Sequence, residues 1–388
     1  MLPAPEELQS HIVSWVAKQQ NSRKSLHALC STSRTLGRIA SEAFYRDVKL
    51  YPDDAPFFLR TLFECPELGS TVRRLQVCVL LESNTALDPD LKAKSIQALH
   101  ELGLAGSLWE QKIRDDGLPT VAGLILTRLP QLTELDIRVA PIMPNVASQS
   151  PWYQLFGSDE VPQPVAPVLE RLRSLAIGGA MLPLLGINFP KLRTLRVRRI
   201  TTPMLYPKRA LLPGARGVED LHLDATVKVA NVEHATLIFG TLNHLIEAMN
   251  GIQITRLSID LWAPDTFNPT NRYSAQQLLD QLQDIASGIR KLTINCVAAN
   301  CVGDEMYQQS RHAFRERPMV SIERFSSLTT MIVPSYFLNT SSGSRRSDQP
   351  IAVKDIRLRT APNLRISKCE FIGSDQHMTQ LDFAPQSS

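Results

Sequence analysis

The chain has 388 residues, of which 43% are hydrophobic, 21% charged and only 6% aromatic. So much apolar material supports a packed interior and excludes a disordered or fibrous protein. With 42 Lys and Arg against 38 Asp and Glu, a formal charge of +4 on a chain this long points to neither a nucleic-acid nor an anionic-membrane partner.

The opening Met-Leu-Pro-Ala-Pro-Glu-Glu has no basic region followed by an apolar core, so the expected compartment is intracellular, cytoplasm and/or nucleus. The longest uncharged stretch, 139–158, carries Pro141, Pro144 and Pro151 among Asn and Ser and reads as a loop, not a membrane span. Six cysteines without a Cys-x-x-Cys pair read as reduced core residues. No metal site and no cofactor are expected.

Residues 1–50 read as three short helices. Leu8, Ile12, Trp15 and Val16 recur at helical spacing; Leu26, Leu29 and Leu36 mark a second stripe, and Ile39, Ala43 and Phe44 a third. Three short helices bury little by themselves, so their apolar faces need the rest of the chain or a partner.

From residue 72 onward a pattern returns: apolar, two variable, apolar, one variable, apolar. Its nine copies begin at Val72, Leu132, Leu172, Leu192, Val218, Ile254, Ile289, Leu328 and Val353. The apolar slots alone would recur by chance on the order of ten times. Seven of the nine copies are polar at all three variable slots, where chance gives roughly two. The last two apolar residues of each copy stand two apart, on one side of a strand, so each copy predicts a short half-buried strand.

Helical stretches are expected between these strands: around Leu91 to Leu102, Leu237 to Met249, and Leu278 to Ile285. Ser274 with Gln277 suggests a capping box for the last, and Gly288 a left-handed C-terminal cap. The expected fold is α/β: an N-terminal three-helix module over 1–50, an irregular α/β solenoid over 51–372 and a flexible tail over 373–388. A doubly wound sheet is the alternative.

The N-terminal series Leu2-Pro3, Glu7-Leu8, Ile12, Leu26, Leu29-Cys30, Ser33-Arg34, Leu36, Phe44-Tyr45-Arg46 and Val48 resembles an F-box of the filamentous-fungal type. Pro5 adds one residue relative to the usual spacing. The resemblance implies that these helices dock on the Skp adaptor of a cullin-RING ubiquitin ligase while the remainder presents substrates. Carried over residue by residue, the adaptor-binding positions are Leu2, Pro3, Leu8, Ile12, Leu26, Leu29, Cys30 and Leu36. The later strands are similar to leucine-rich repeats, but the Asn expected after each strand is replaced by Ala140, Ala180, Ile200, Thr226, Trp262, Val297 and Tyr336. Their turns must be satisfied some other way.

In a solenoid the non-core strand residues line one extended surface. The candidate substrate-binding residues there are Arg196, Arg198, Asp220, His222, Asp224, Arg256 and Asp260, whose alternating signs suit a mixed-charge polypeptide. Enzyme signatures are missing from the sequence: His100-Glu101 has Leu104 where a zinc-protease helix needs its second His, and neither a phosphate loop nor a nucleophile elbow occurs. His222 between Asp220 and Asp224 is the nearest approach to a catalytic cluster. The expected function is therefore a non-enzymatic substrate receptor of a Skp-cullin-F-box ligase, with no nucleic-acid or membrane partner; the alternative is an interaction scaffold unconnected with ubiquitin.

Overall fold

The structure, a computed structural model, describes residues 5–19, 22–79, 87–115, 118–139, 167–178, 189–198, 217–226, 254–263, 275–298, 318–338, 356, 358–372 and 378–385. Three helices open the chain: α1 (Glu6–Ala17), α2 (Ser22–Cys30) and α3 (Arg34–Arg46). Ser33 starts α3 from extended backbone, and its Oγ accepts the Leu36 N–H at 3.2 Å, satisfying one of the helix's orphan donors. Val13, Leu26, Ile39 and Ala40 form the core of this module, with Val16, Ala17, Leu29, Cys30, Leu36, Ala43 and Phe44 packed around them. A Cβ at Gly37 would stand 2.8 Å from the Cys30 carbonyl oxygen, so the glycine is what lets α3 lie against the end of α2.

The chain divides into two compact units, the first reaching residue 175 and including 189–191, the second comprising 176–188 and everything from 192. The division does not fall after residue 50: the three-helix module belongs to the first unit. The T-shaped pair of Phe44 and Tyr45, and Tyr45 stacked on Phe58 at 6.3 Å, join the module to the segment after residue 50.

The first unit continues with β1 (Asp47–Leu50), α4 (Ala55–Glu64), β2 (Arg74–Val79), α5 (Pro89–Glu101), α6 (Leu108–Arg114), α7 (Leu118–Thr127) and β3 (Glu134–Val139); β4 (Ser174–Gly178) straddles the division. β1, β2 and β3 are parallel neighbours in chain order. Val48, Leu75 and Leu135 share one buried row, and Leu50, Val77 and Ile137 the next. Helix α5 ends on Gly103 at φ 75°, where Leu104 N–H reaches Leu99 C=O and Gly103 N–H reaches His100 C=O, the two bonds of a Schellman cap. Trp109 on α6 packs its ring directly over Gly123 of α7, a position where any Cβ would collide with it.

The second unit holds β5 (Thr194–Arg198), β6 (Asp220–Thr226), β7 (Arg256–Ala263), α8 (Ala275–Gln281), β8 (Lys291–Ala298), β9 (Ser321–Ile322), β10 (Thr330–Pro334), β11 (Arg359–Thr360), β12 (Leu364–Ile372) and β13 (Met378–Pro385). β5, β6, β7, β8 and β10 are all parallel, each beside the one before it; β13 then pairs antiparallel with β10, and β12 with β13. Leu195, Leu221, Leu257, Leu292, Met331 and Leu381 form one continuous buried row across these strands. At about 1.5–3 kcal/mol for each fully buried aliphatic side chain, such rows supply most of the ladder's stability.

Successive strands are also tied at their starts. The Arg73 carbonyl accepts the N–H groups of Thr133 and Glu134; Arg193 does the same for Glu219 and Asp220, Glu219 for Thr255 and Arg256, Thr255 for Arg290 and Lys291, and Arg290 for Thr329 and Thr330, all at 2.8–3.1 Å. Where the turn residue is Thr its Oγ1 adds a third bond: Thr133 to Arg73, Thr255 to Glu219 and Thr329 to Arg290. This carbonyl ladder fixes the step from one strand to the next at the strand starts.

Several expectations are corrected. Eight of the nine pattern copies are strands; of the ninth, at Val353, only Ile356, in a single bridge, and Leu358 are among the described residues. Residues 378–385, expected in a flexible tail, form β13 between two partners, because Leu381 and Phe383 are buried and their alternation continues the core. Gly288 has no left-handed conformation; it closes a 3-10 turn, its N–H bonded to Ile285 C=O. The helix expected over 237–249 lies outside the described residues. The molecule is an α/β protein with mostly parallel strands, and among the described residues no helix is long and apolar enough to cross a membrane.

Candidate docking face and strand surface

Helix α1 is apolar on two sides. Val13, Val16 and Ala17 pack into the module, whereas Leu8, Ile12 and Trp15 remain 52%, 48% and 64% exposed. At ~100° per residue, positions i, i+4 and i+7 fall within about 60° of arc, so these three side chains make one stripe. Among the described residues no element covers it. A single exposed Leu is ordinary; three exposed apolar side chains in one stripe on a helix are not.

The adaptor-binding residues carried over from the sequence thus separate into groups. Leu8 and Ile12 lie on the open stripe. Leu26 is 3% exposed at the centre of the module and out of a partner's reach, because α1 and α3 already close over it. Leu29, Cys30 and Leu36 are half-buried, packed on the core with part of their surface free; the Cys30 thiol also lies 3.5 Å from Ser41 Oγ. Leu2 and Pro3 lie outside the described residues. The sequence marks Trp15 only as a periodic apolar residue. The signal that singles it out is Val13, which stands between the two stripe positions and implies a second apolar side.

On the strand surface of the second unit the register decides which polar residues meet. Arg196, His222, Ser258 and Thr293 form one row; Thr194, Asp220, Arg256 and Lys291 form the row nearer the strand starts; Asp224, Asp260 and Asn295 form a third. His222 therefore stands in register between Arg196 and Ser258, and the two aspartates of its own strand belong to the rows on either side. Asp220 pairs with Arg256 at 3.5 Å. Arg196, Arg198, Asp220 and His222 are half-buried and Arg256 is exposed. The Arg196 Nε is shielded from water and makes no hydrogen bond.

The first unit repeats the charge compensation: Arg74 bridges Asp47 at 3.5 Å and Glu134 at 3.1 Å along one row, and Arg138 pairs with Asp136. Exposed pairs like these, across strands or within one, contribute a few tenths of a kcal/mol each.

His100 and Glu101 go to different partners: His100 joins a structural staple, and Glu101 accepts from Gln97 and lies 3.7 Å from Arg128. His100 Nε2 meets Glu110 Oε2 at 3.0 Å, Gly106 N–H donates to the same oxygen at 2.7 Å, and Arg114 takes the other oxygen. The Gly106 amide first, then Arg114 and His100, hold the Glu110 carboxyl down at about 2. All donors to this carboxylate come from α5, α6 and the loop between them, which it fastens together. Among the described residues no group of His, Cys, Asp and Glu is placed to hold a metal ion. No family model matches the chain, and no curated protein matches its sequence.

Proposed function

We propose that the chain is a substrate-recognition subunit of a Skp-cullin-F-box ubiquitin ligase: the N-terminal helices are an F-box that binds the Skp adaptor, and the strand-bearing remainder is an irregular leucine-rich-repeat-like solenoid that binds a protein substrate. The subunit does no chemistry itself; it supplies proximity for ubiquitin transfer catalysed elsewhere in the assembly. The observation that carries this reading is the open Leu8-Ile12-Trp15 stripe on a helix whose other side is already packed. A helix in such a position presents the i, i+4, i+7 anchors that partner-helix interfaces use.

The strand order supports the solenoid. A doubly wound sheet reverses its strand order at a switch point, whereas β5, β6, β7, β8 and β10 advance in one direction, each strand tied to the last by the same carbonyl ladder. Under this reading the rows through Arg196 and His222, Asp220 and Arg256, and Asp224 and Asp260 receive the substrate.

The test is a pull-down of the purified full chain with the Skp adaptor. Binding is expected, and expected to vanish in Leu8→Asp/Ile12→Asp while the melting temperature stays near that of the parent. A folded chain that never associates with the adaptor overturns the assignment and leaves an interaction scaffold.

A further inference from the structure

We propose that Trp15 is the principal anchor of the α1 docking face, and that the surface receiving it is an acidic polypeptide surface around an apolar seat. This rests on the adaptor reading and adds to it a residue that the family resemblance does not supply, together with the chemistry of the partner.

Trp15 is the largest and most exposed apolar side chain on α1, at 64%. A solvent-facing indole on a rigid helix loses little conformational freedom on binding and buries more area than any other side chain, which is why Trp dominates interface hot spots. Leu8 and Ile12 continue the same stripe toward the start of the helix, so the seat must accept one indole and two aliphatic side chains in a row.

The charge of the three-helix segment is lopsided. Residues 1–46 carry six Lys and Arg (Lys18, Arg23, Lys24, Arg34, Arg38, Arg46) against three Glu (Glu6, Glu7, Glu42), while the rest of the chain carries 36 against 35. Three of the four net positive charges of the protein therefore sit on about an eighth of its length. One acidic residue is already occupied, since Glu6 pairs with Arg38. Lys18 follows Trp15 by one turn on the same side of α1, and neither it nor Lys24 at the start of α2 forms an ion pair among the described residues; both are exposed. Arg23 lies over the Phe44 ring and keeps its charge at the surface. On the strands Arg74 and Arg256 are paired with carboxylates, whereas Lys18 and Lys24 stand open to a partner's charge. Opposite charge on that partner speeds encounter and excludes basic competitors.

The experiment titrates the purified full chain with the Skp adaptor at about 50 and 300 mM salt, which spans strong to weak screening. Trp15→Ala is expected to weaken binding by roughly 30-fold or more, and Trp15→Phe by an intermediate factor. Lys18→Glu/Lys24→Glu is expected to weaken it roughly 10-fold at the lower salt and far less at the higher. The melting temperature of each variant should match the parent, because the altered side chains are exposed. If the parent binds and Trp15→Ala binds equally well, or if salt has no effect, the anchor and the acidic seat are overturned while the adaptor reading stands. If the parent itself does not bind, the adaptor reading falls and this proposal with it. A parent that sediments as a dimer and becomes a monomer in Trp15→Ala would assign the stripe to a second copy of the chain, also overturning the proposal.

Discussion

In α1 the apolar side chains occupy two sides, and the outer stripe of Leu8, Ile12 and Trp15 has no cover among the described residues; in the ladder from β5 to β13 the apolar row from Leu195 to Leu381 is buried, and on the polar side Asp220 pairs with Arg256. The reason is geometric. A strand in a parallel ladder presents its apolar side to one continuous core and its polar side to water, so each added strand completes the one before it. A three-helix module of 42 residues, 5–46, has too little volume to enclose both sides of its first helix. One region closes on itself, while the other leaves an apolar stripe open.

The contrast breaks most visibly at Leu26 and Ile12, residues that look alike in the sequence. Leu26→Ala removes a core side chain and should cost about 2–4 kcal/mol, visible in a denaturant melt of the full chain. Ile12→Ala should leave stability within about 0.5 kcal/mol and, under the proposed function, act only on adaptor affinity. Equal stability losses would mean that the outer stripe is packed after all.

A second effect tests how tightly the first unit is closed. Gly123→Ala pushes a methyl group into the Trp109 ring and should cost about 1–3 kcal/mol by overpacking, measured as a lower denaturation midpoint. Thr255→Val probes the strand ladder: it removes one of three donors to the Glu219 carbonyl, and since both N–H donors remain, the loss should be only about 0.5–1.5 kcal/mol.

The smallest expected effect concerns pH. Glu110 is held at about 2 against an ordinary value of 4.5, so its folded pKa is depressed. Its contribution is complete above about 4.5 and is lost as pH falls toward about 2, because the unfolded chain takes up the proton first. Glu110→Gln should therefore lower the melting temperature at neutral pH, with the difference from the parent shrinking across that window. A difference that is constant with pH would place the staple's strength in packing rather than charge.

Much of the fold is legible in the sequence, though for reasons only partly correct. Polar variable slots do not by themselves distinguish real strands: the copies at Leu172 and Leu328, with Ala176 and Ile332 in those slots, are strands as well. Ala176 is buried on the side where a polar residue is expected. Of the docking face, Leu8 and Ile12 are legible from residue type and spacing. Leu26 is not, because an apolar residue facing its own core and one facing a partner obey the same helical periodicity.

The sequence alone determined the period-two alternation that makes parallel strands and the apolar spacing of the N-terminal helices, because both are local consequences of backbone geometry. Only the tertiary structure decided that Leu381 and Phe383 bring the C-terminal segment into the sheet, that a run of carbonyls ties successive strands at their starts, and that Trp15 faces outward while Val13 faces in. Those outcomes depend on which surfaces meet across long stretches of chain, and no short window of residues encodes that.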